Sequence, residues 1–336
     1  MTRAQMPPVV MTDEGVERRV GVEIELSGVT GEQLAEAVEA EFGGVINRHS
    51  RVEYQVNETS CGDFKLELDA ALLKLLVRES EPDKTSAIDN LLELSEKLLS
   101  QAAEQLVPWE IVAPPLPVSR LGSLDPLVER LRLAGARGTK HALRFAFGVH
   151  LNPELPSLNS DTILSYLRAY CCLYDWLVEV EEVDISRRTT PFINHYDDEY
   201  IRKIIDPAYK PTLSVLIDDY LSANPTRNRG LDMLPMFNHL DQPRVEKILA
   251  DELIQSRPTL HYRLPNCDID NPDWGLHRTW NNWLVVERLA GNSEQLGELC
   301  AAYCSVIDNR LPLVGDNWLE TTRDWVNNGT LIHADK

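Results

Sequence analysis

The chain has no apolar stretch long enough to cross a bilayer and no excess of basic residues. Lys and Arg total 33 against 53 Asp and Glu, which gives a formal net charge of -20. Such an acidic surface repels nucleic acid and anionic membranes unless a local basic patch intervenes, and the sequence shows no such patch. Residues 1–12 also lack the apolar core of a signal peptide. These absences predict a cytoplasmic protein that binds neither nucleic acid nor membranes.

Several familiar metal and catalytic motifs are absent as well. The sequence contains no H-E-x-x-H zinc motif, no nucleophile elbow and no glycine-rich phosphate loop. His195, His239 and His277 lack the spacing of zinc ligands. The cysteines form no C-x-x-C pairs and lie at positions 61, 171, 172, 267, 300 and 304. This spacing predicts reduced thiols rather than a zinc ribbon or a disulfide framework. A thiol nucleophile at Cys267 is a minor alternative, because it has no spaced histidine partner.

The most informative segment is residues 18–28, which read R-R-V-G-V-E-I-E-L-S-G. In a strand, this strict alternation places Val22 and Ile24 on one face and Glu23 and Glu25 on the other. Same-face residues two apart lie about 6.5 to 7 Å from each other. Two carboxylates held this close need a cation, a proton or open water. The pair is either a platform for a metal ion or the solvated face of a sheet, and this segment alone leaves both readings open.

Other periodic segments predict strands towards both ends of the chain and a helical block between them. Strands are predicted at 52–56, 63–69, 108–117, 142–152 and 259–264, and helices at 30–42, 86–105, from 125, within 161–224, at 280–289 and at 293–308. This order predicts an α+β fold with an antiparallel sheet and a helical insertion. We expect one domain over residues 1–336, with a core at 15–155 and 256–330 and a mainly helical insertion at 156–255.

The predicted strands carry a mixture of carboxylates and cations. Its members are Glu23, Glu25, Lys65, Glu67, Asp69, Glu110, Arg144, His150 and Arg263. Carboxylate oxygens hold hard ions such as Mg²⁺, which bridge phosphates, while Lys or Arg meets the remaining phosphate charge. The mixture therefore suits nucleotide chemistry. The alternative is a set of ordinary surface salt bridges, each of which contributes little to stability.

Four short segments carry a resemblance to a known family. They read G-V-E-I-E-L at 21–26, E-I-V-A-P-P-L at 110–116, F-G-V-H-L-N at 147–152 and H-Y-R-L-P-N at 261–266. In this order they resemble the amidoligase family, a group of carboxylate-amine ligases related to glutamine synthetase and glutamate-cysteine ligase. The resemblance extends from about residue 18 to residue 289.

This resemblance implies an antiparallel sheet of glutamine-synthetase-like catalytic type, with helices on one side and with Mg²⁺ and ATP on its concave face. Glu23, Glu25 and Glu110 match metal-binding carboxylates of the family. His150 occupies the histidine position of the G-x-H motif. Arg263 matches the arginine of the late strand, which is expected to meet phosphate or a substrate carboxylate.

Two positions depart from the family pattern. His261 stands where many members carry an acidic residue beside the late-strand arginine, and residues 57–60 read N-E-T-S in place of Asp-Gly-Ser. Glu58, Glu67 and Asp69 are the candidates for the missing acidic role. We favour Glu67 and Asp69 as metal ligands because their strand presents both on one face. A purely structural role for that pair remains open.

The resemblance further implies a ligase that activates a carboxylate with ATP to an acyl phosphate. An amine then attacks this intermediate to form an amide or isopeptide bond. The predicted catalytic residues are His150, Arg263 and, as an available base, His261. Lys65, Arg144, His150 and Arg263 are predicted to contact the nucleotide. The substrates are expected to be a small-molecule or peptide carboxylate and an amine.

Two alternatives come from other functional classes. A metal-dependent hydrolase would use the same carboxylates with His150 to activate water. An inactive ligase fold would instead present the helical block at 161–224 as a protein-binding surface, and His261 with the absent Asp-Gly-Ser motif keeps this reading open. ATP binding distinguishes the ligase from the hydrolase. The sequence predicts no particular oligomeric state.

Overall fold

The computed structural model describes residues 3–68, 108–141, 147–189, 193–249, 254–308 and 318–328. Within them, one sheet contains the strands β1 Arg19–Leu26, β2 Val45–Arg48, β3 Glu53–Thr59, β4 Gly62–Leu68, β5 Trp109–Val112, β6 Leu116–Pro117, β7 Val149–Pro153, β8 Leu231–Asp232 and β9 His261–Tyr262. The strand order is β2-β3-β4-β5-β1-β7-β9-β8, and β6 pairs with the start of β1. Neighbouring strands run antiparallel, so β1 lies near the centre of an antiparallel sheet.

Helices surround this sheet and fill most of the segment between β7 and β9. They are α1 Gly31–Phe42, α2 Asp125–Leu133, α3 Ser160–Val180, α4 Ile185–Thr189, α5 Asp198–Ile205, α6 Leu213–Ala223, α7 Leu234–Leu240, α8 Gln242–Ile248, α9 Leu276–Ala290, α10 Ser293–Asp308 and α11 Trp318–Asn327. The helix α3 packs against α9, α10 and α11, while α1 packs on β3 and β4. The predicted α+β class is therefore confirmed. Across the described ranges, no helix is both long and apolar enough to span a membrane.

The apolar residues of β1 anchor one face of the sheet in the core. Val20, Val22, Ile24 and Leu26 are at most 1% exposed. Burial of four such side chains removes each of them from water and contributes about 1.5–3 kcal/mol per residue before the entropy cost of folding. Because side chains alternate along a strand, the same placement turns Glu23 and Glu25 to the opposite face.

Two local predictions next to β1 are confirmed. Thr30 caps α1, since its hydroxyl accepts a hydrogen bond from the Gln33 amide at 3.2 Å. The Gln33 side chain accepts one from the Thr30 amide at 2.9 Å, which completes the capping box. The hairpin of β3 and β4 buries Phe64 and Leu66 and leaves Lys65 half-buried on the other face.

The later strands are shorter than the sequence predicted. The segment 259–264 forms only the two-residue strand β9, and the unpredicted β8 pairs with it from within the helical insertion. Because β8 has only two residues, its sequence cannot show the alternation that identifies a strand. The predicted helix at 86–105 lies outside the described residues. The division into a core and an insertion stays a prediction.

A buried ion pair joins the start of β1 to α9. Arg18 and Glu287 are both fully enclosed, and their side chains meet through two contacts of 2.7 and 2.8 Å. Arg18 also donates to the backbone carbonyls of Val9 and Glu154, and Trp283 donates to Glu287. Every charged oxygen and most guanidinium hydrogens thus have partners, which is the condition for keeping charges inside a protein.

Glu181, which follows α3, is a second buried carboxylate, but it faces neutral donors. Asn282 and Thr279 donate to its two oxygens at 3.1 and 3.2 Å. Burial raises the pKa of Glu181 to about 7, against the smaller opposing effect of these hydrogen bonds. The side chain therefore titrates near neutral pH within the folded protein.

We expect Glu181 to make the protein less stable as the pH rises from about 4.5 to about 7. In this window the folded state still holds the proton that unfolded glutamate has released, so stability is greatest below the unfolded pKa and is lost towards the folded one. The pKa difference corresponds to about 3 kcal/mol. Urea denaturation of wild type and Glu181→Gln at pH 5 and pH 8 tests this. The variant should gain stability relative to wild type at pH 8, and an equal pH dependence of the two proteins would refute the assignment.

Candidate active site

Strand register brings the predicted carboxylates into one row across the sheet. Glu67 on β4 lies opposite Glu110 on β5, and Glu110 lies opposite Glu25 on β1. Two residues before Glu25 on β1, Glu23 lies opposite His150 on β7. Directly opposed residues on antiparallel strands have Cβ atoms only about 4.5–5.5 Å apart, and like charges at that distance repel. The row therefore concentrates negative charge at the centre of the sheet.

Glu23 lies beside this row and contacts four polar side chains. Its Oε1 accepts from Asn152 Nδ2 at 2.9 Å and lies 3.1 Å from Arg257 Nη1. Its Oε2 lies 2.7 Å from His150 Nδ1 and 3.4 Å from His261 Nε2. The side chain is only 7% exposed. Glu23 thus holds two histidines, an amide and a guanidinium around a single buried anion.

These neighbours keep Glu23 ionised despite its burial. Burial alone would raise the pKa of Glu23, but attraction to His261, the hydrogen bond from His150 and the charge of Arg257 hold that pKa well below its usual range. Burial lowers the pKa of His261 to about 4, against the attraction of Glu23. His261 is therefore neutral at neutral pH, and its charge attracts Glu23 only at lower pH. At neutral pH, Arg257, His150 and Asn152 stabilise the Glu23 anion.

Glu25 has a different environment from Glu23. Its Oε2 accepts a hydrogen bond from the Gly148 amide at 2.6 Å, and its Oε1 lies 3.5 Å from His150 Nε2. Ligand atoms of Glu25, Glu110 and His150 all lie within 4.8 Å of one another. A second group of the same kind consists of Glu23, His150 and His261. His150 belongs to both groups, one on each side of its ring.

The tautomer of His150 decides which of these two groups can use its ring nitrogen as a metal ligand. A neutral imidazole has one donor and one acceptor nitrogen. With Nδ1 donating to Glu23 at 2.7 Å, the lone pair of Nε2 points towards the Glu25 side. A carboxylate that holds the far nitrogen of a metal-binding histidine is the usual supporting arrangement of such sites. In this tautomer Glu25, Glu110 and His150 could together hold a metal ion, while Glu23 contacts the other nitrogen of the His150 ring.

Gly148 is held close to a buried guanidinium. Arg187 on α4 donates to the carbonyls of Leu264 and Pro265 at 2.6 Å and to that of Arg263 at 2.7 Å. Burial lowers the pKa of Arg187 to about 10, against the attraction of Glu25, so it stays charged. A Cβ at position 148 would lie 2.5 Å from Arg187 Nη2. Glycine at this position therefore lets Arg187 reach the chain beyond β9.

We expect Gly148→Ala to destabilise the protein by about 1–3 kcal/mol, because the added methyl group must displace Arg187 or the backbone. Urea denaturation measures the loss. Gly297→Ala in α10 is the matched control, since a Cβ there meets nothing within 4 Å. Replacing a helical glycine without a clash should stabilise by up to about 1 kcal/mol. Equal effects of the two substitutions would contradict the proposed packing.

A cavity of about 100 Å³ opens beside this row of carboxylates. Its lining includes Glu23, Glu67, Glu110, Asp232, Arg257 and His261. Asp232 on β8 is 1% exposed and pairs with His261 across the sheet, where Asp232 Oδ2 lies 3.7 Å from His261 Nδ1. The cavity therefore combines the carboxylates of β1, β4 and β5 with groups from β8, β9 and the segment before β9.

The family comparison agrees with this geometry. A family model described as Putative amidoligase enzyme matches residues 16–285. The chain belongs to this amidoligase family. No curated protein and no solved structure matched the chain. The matched range contains all four segments on which the resemblance rests. The first two segments supply Glu25 and Glu110 of the carboxylate row, the third supplies His150, and Glu67 comes from β4 outside these segments.

Most of the predicted site residues lie together in the structure. Lys65 contacts Glu67 at 2.7 Å beside the row. Arg263 follows β9, and its charge contributes to the low pKa of His261 after burial and the opposing effect of Glu23. Asp69 and Arg144 lie outside the described residues. Glu58 lies near the end of β3, five residues beyond Glu53, which is the residue in register with Glu67, and the Glu58 amide donates to Asp63.

The less favoured reactive groups are enclosed or distant. Cys267 is fully buried, and burial raises the pKa of its thiol, so the conditions for a thiolate nucleophile are missing. His195 stacks on Tyr174 with ring centroids 3.6 Å apart. All six cysteines are free of disulfides.

Sequence reasoning missed three members of the amidoligase site. Asn152, Asp232 and Arg257 all contact the central groups or line the cavity. Asn152 had a usable signal, because it follows His150 by two residues in a strand and therefore shares its face. Asp232 and Arg257 had none, since they belong to a two-residue strand and an irregular segment.

Proposed function

We propose that this amidoligase is an ATP- and Mg²⁺-dependent ligase that joins a carboxylate to an amine through an acyl phosphate. The observation that carries the proposal is the row of Glu67, Glu110 and Glu25 in register on three strands, with His150 Nε2 3.5 Å from the Glu25 carboxylate. Such a row suits a divalent cation, and a cation suits a nucleotide substrate. We also propose that the sheet is of the glutamine-synthetase-like catalytic type.

The residues fit a divalent metal ion. Glu25 and Glu110 would supply carboxylate oxygens and His150 an imidazole nitrogen, which suits Mg²⁺ and also Mn²⁺. When bound, Mg²⁺ would neutralise phosphate charge on the nucleotide. Glu23 would keep His150 in the required tautomer, and Gly148 would fix the carboxylate of Glu25 through its amide.

The cations around the row suit the charge that develops on phosphate. Nε and Nη1 of Arg263 are enclosed and receive no acceptor from the described residues. Leaving these two enclosed donor atoms without an acceptor is costly, and a phosphoryl group would provide one. Lys65 lies at the opposite end of the row, beside Glu67. With the γ-phosphate held by these cations, the substrate carboxylate would attack it and ADP would leave, which gives the acyl phosphate. The amine would then attack the acyl carbon and displace phosphate.

Calorimetric titration of Mg²⁺ and the non-hydrolysable analogue AMP-PNP tests the proposal. Wild type should bind, and a Glu25→Gln, Glu110→Gln double variant should bind at least about tenfold more weakly, or about 1.4 kcal/mol. Glu36→Gln with Glu39→Gln is the matched control, because both side chains are exposed on α1. Titrations run with and without a mixture of the twenty L-amino acids cover ordered binding. A folded wild type that binds no nucleotide under either condition rules out ATP use and favours the hydrolase.

A further inference from the structure

Asp232 is a buried carboxylate whose two oxygens have unequal partners. Its Oδ1 accepts a hydrogen bond from the Leu234 amide at 3.0 Å. Its Oδ2 is enclosed, and none of the described residues donates a hydrogen bond to it. His261 Nδ1 lies 3.7 Å from this oxygen, which is beyond hydrogen-bond range. Leaving a buried carboxylate oxygen without a donor costs about 1–3 kcal/mol or more.

Asp232 lines the cavity beside the carboxylate row. Asp232 and His261 form part of its lining, together with Glu23 and Arg257. A small ligand in the cavity would therefore meet Asp232 directly. The ligand group that best satisfies an isolated buried carboxylate is a cationic donor, because it supplies both the hydrogen bond and the opposite charge.

Arg257 gives the same cavity a positive group. Its Nη1 lies 3.1 Å from Glu23 Oε1, and its Nη2 donates to Asn152 Oδ1 at 3.0 Å. Its Nε donates no hydrogen bond to the described residues. The side chain is 25% exposed and lines two adjoining cavities, so it lies at the border between the site and solvent. A ligand carboxylate at this border would find a guanidinium.

We propose that this cavity binds a zwitterionic α-amino acid, with its ammonium group at Asp232 and its carboxylate at Arg257. His261 and Glu23 separate the two ends, so the ligand needs opposite charges a few atoms apart, as an α-amino acid has. The binding site follows from the cavity itself; its assignment to the amine acceptor rests on the proposed ligase function. The ammonium nitrogen would then be the atom that becomes the amide nitrogen.

The proposal can be tested by binding alone. The probes are the twenty L-α-amino acids, screened as a mixture by thermal shift and then singly by calorimetry, with and without Mg²⁺ and AMP-PNP. We expect at least one amino acid to bind wild type. Its N-acetyl derivative, which lacks the ammonium group, and its decarboxylated amine should each bind at least about tenfold more weakly.

Two variants assign the ends of the ligand. Asp232→Asn keeps an acceptor for the Leu234 amide and should weaken amino-acid binding at least about tenfold, while Arg257→Gln should weaken the amino acid more than the decarboxylated amine. Asp232→Glu, which restores the charge, should recover part of the affinity. Asp273→Asn is the matched control at an exposed position. The urea midpoint of each variant shows whether it is folded.

Three results would overturn this site: no amino acid binds, Asp232→Asn binds as tightly as wild type, or the decarboxylated amine matches the amino acid. Nucleotide binding without amino-acid binding would remove the site and leave the ligase function in place. Amino-acid binding that depends on Asp232, in a wild type that binds no nucleotide, would support the site and remove the ligase function.

Discussion

Glu287→Gln is expected to destabilise the protein by about 3–5 kcal/mol. The substitution removes the negative partner of Arg18, whose guanidinium is 0% exposed and meets both carboxylate oxygens of Glu287. An uncompensated buried charge costs far more than a lost surface pair, because protein replaces the water that would otherwise solvate it. The free energy of unfolding from urea denaturation measures the effect.

A double-mutant cycle separates this effect from simple loss of packing. The double variant Arg18→Met, Glu287→Leu carries neither charge. Its loss of stability should be smaller than the sum of the losses in Arg18→Met alone and Glu287→Leu alone. Arg323→Ala is the control, because Arg323 and Glu179 form an exposed ion pair and its loss should cost no more than about 1 kcal/mol. A Glu287→Gln cost as small as the control, or strict additivity in the cycle, would show that the buried charges do not depend on each other.

The parts of the fold that local chemistry specifies could be predicted from the sequence. The alternation in β1 identified both its core face and its carboxylate face, since the period of two is a property of any strand. The capping box at Thr30 and Gln33 was equally readable, because its two hydrogen bonds join residues three positions apart. These features need no information from distant parts of the chain.

The difference between Glu23 and Glu25 could not be predicted in the same way. Both lie on one face of β1 and looked equivalent as metal ligands. Long-range pairing separates them: Arg257 and Asn152 contact Glu23, whereas the Gly148 amide donates to Glu25. The sequence placed these carboxylates on one face, but only the register of the neighbouring strands assigns each a different set of partners.

The strand β8 is the remaining feature that the sequence did not predict. The sequence predicts a mainly helical insertion there, and the structure places six helices and β8 between β7 and β9 within the described residues. This segment contributes β8, which carries Asp232 to His261 at the edge of the site. A two-residue strand has no periodic signal, and its place in the sheet depends on pairing with β9 rather than on its own composition. The segment between β7 and β9 therefore contributes Asp232 to the cavity lining in addition to its helices.

His150→Asn is expected to reduce the affinity for Mn²⁺ by about 100-fold, or about 2.7 kcal/mol. His150 is the one residue shared by both candidate metal groups of the described chain, and its Nε2 lies 3.5 Å from Glu25 Oε1. Asparagine preserves a donor towards Glu23 but is too short to reproduce the nitrogen on the Glu25 side. Titration of Mn²⁺, followed by the electron paramagnetic resonance signal of the free ion, measures the affinity without any assumption about substrates.

Comparison with Glu23→Gln distinguishes a ligand from its support. If Glu23 acts through His150, its substitution should weaken Mn²⁺ binding by about 10–100-fold, the range typical of groups that orient a metal-binding histidine. His239→Asn is the control for loss of an imidazole, since His239 is exposed on α7. A His150→Asn protein that binds Mn²⁺ within about twofold of wild type would show that this histidine is not a ligand. Equal losses in His150→Asn and Glu25→Gln, with a smaller one in Glu23→Gln, would place the ion on the Glu25 side, where the carboxylate row continues to Glu110.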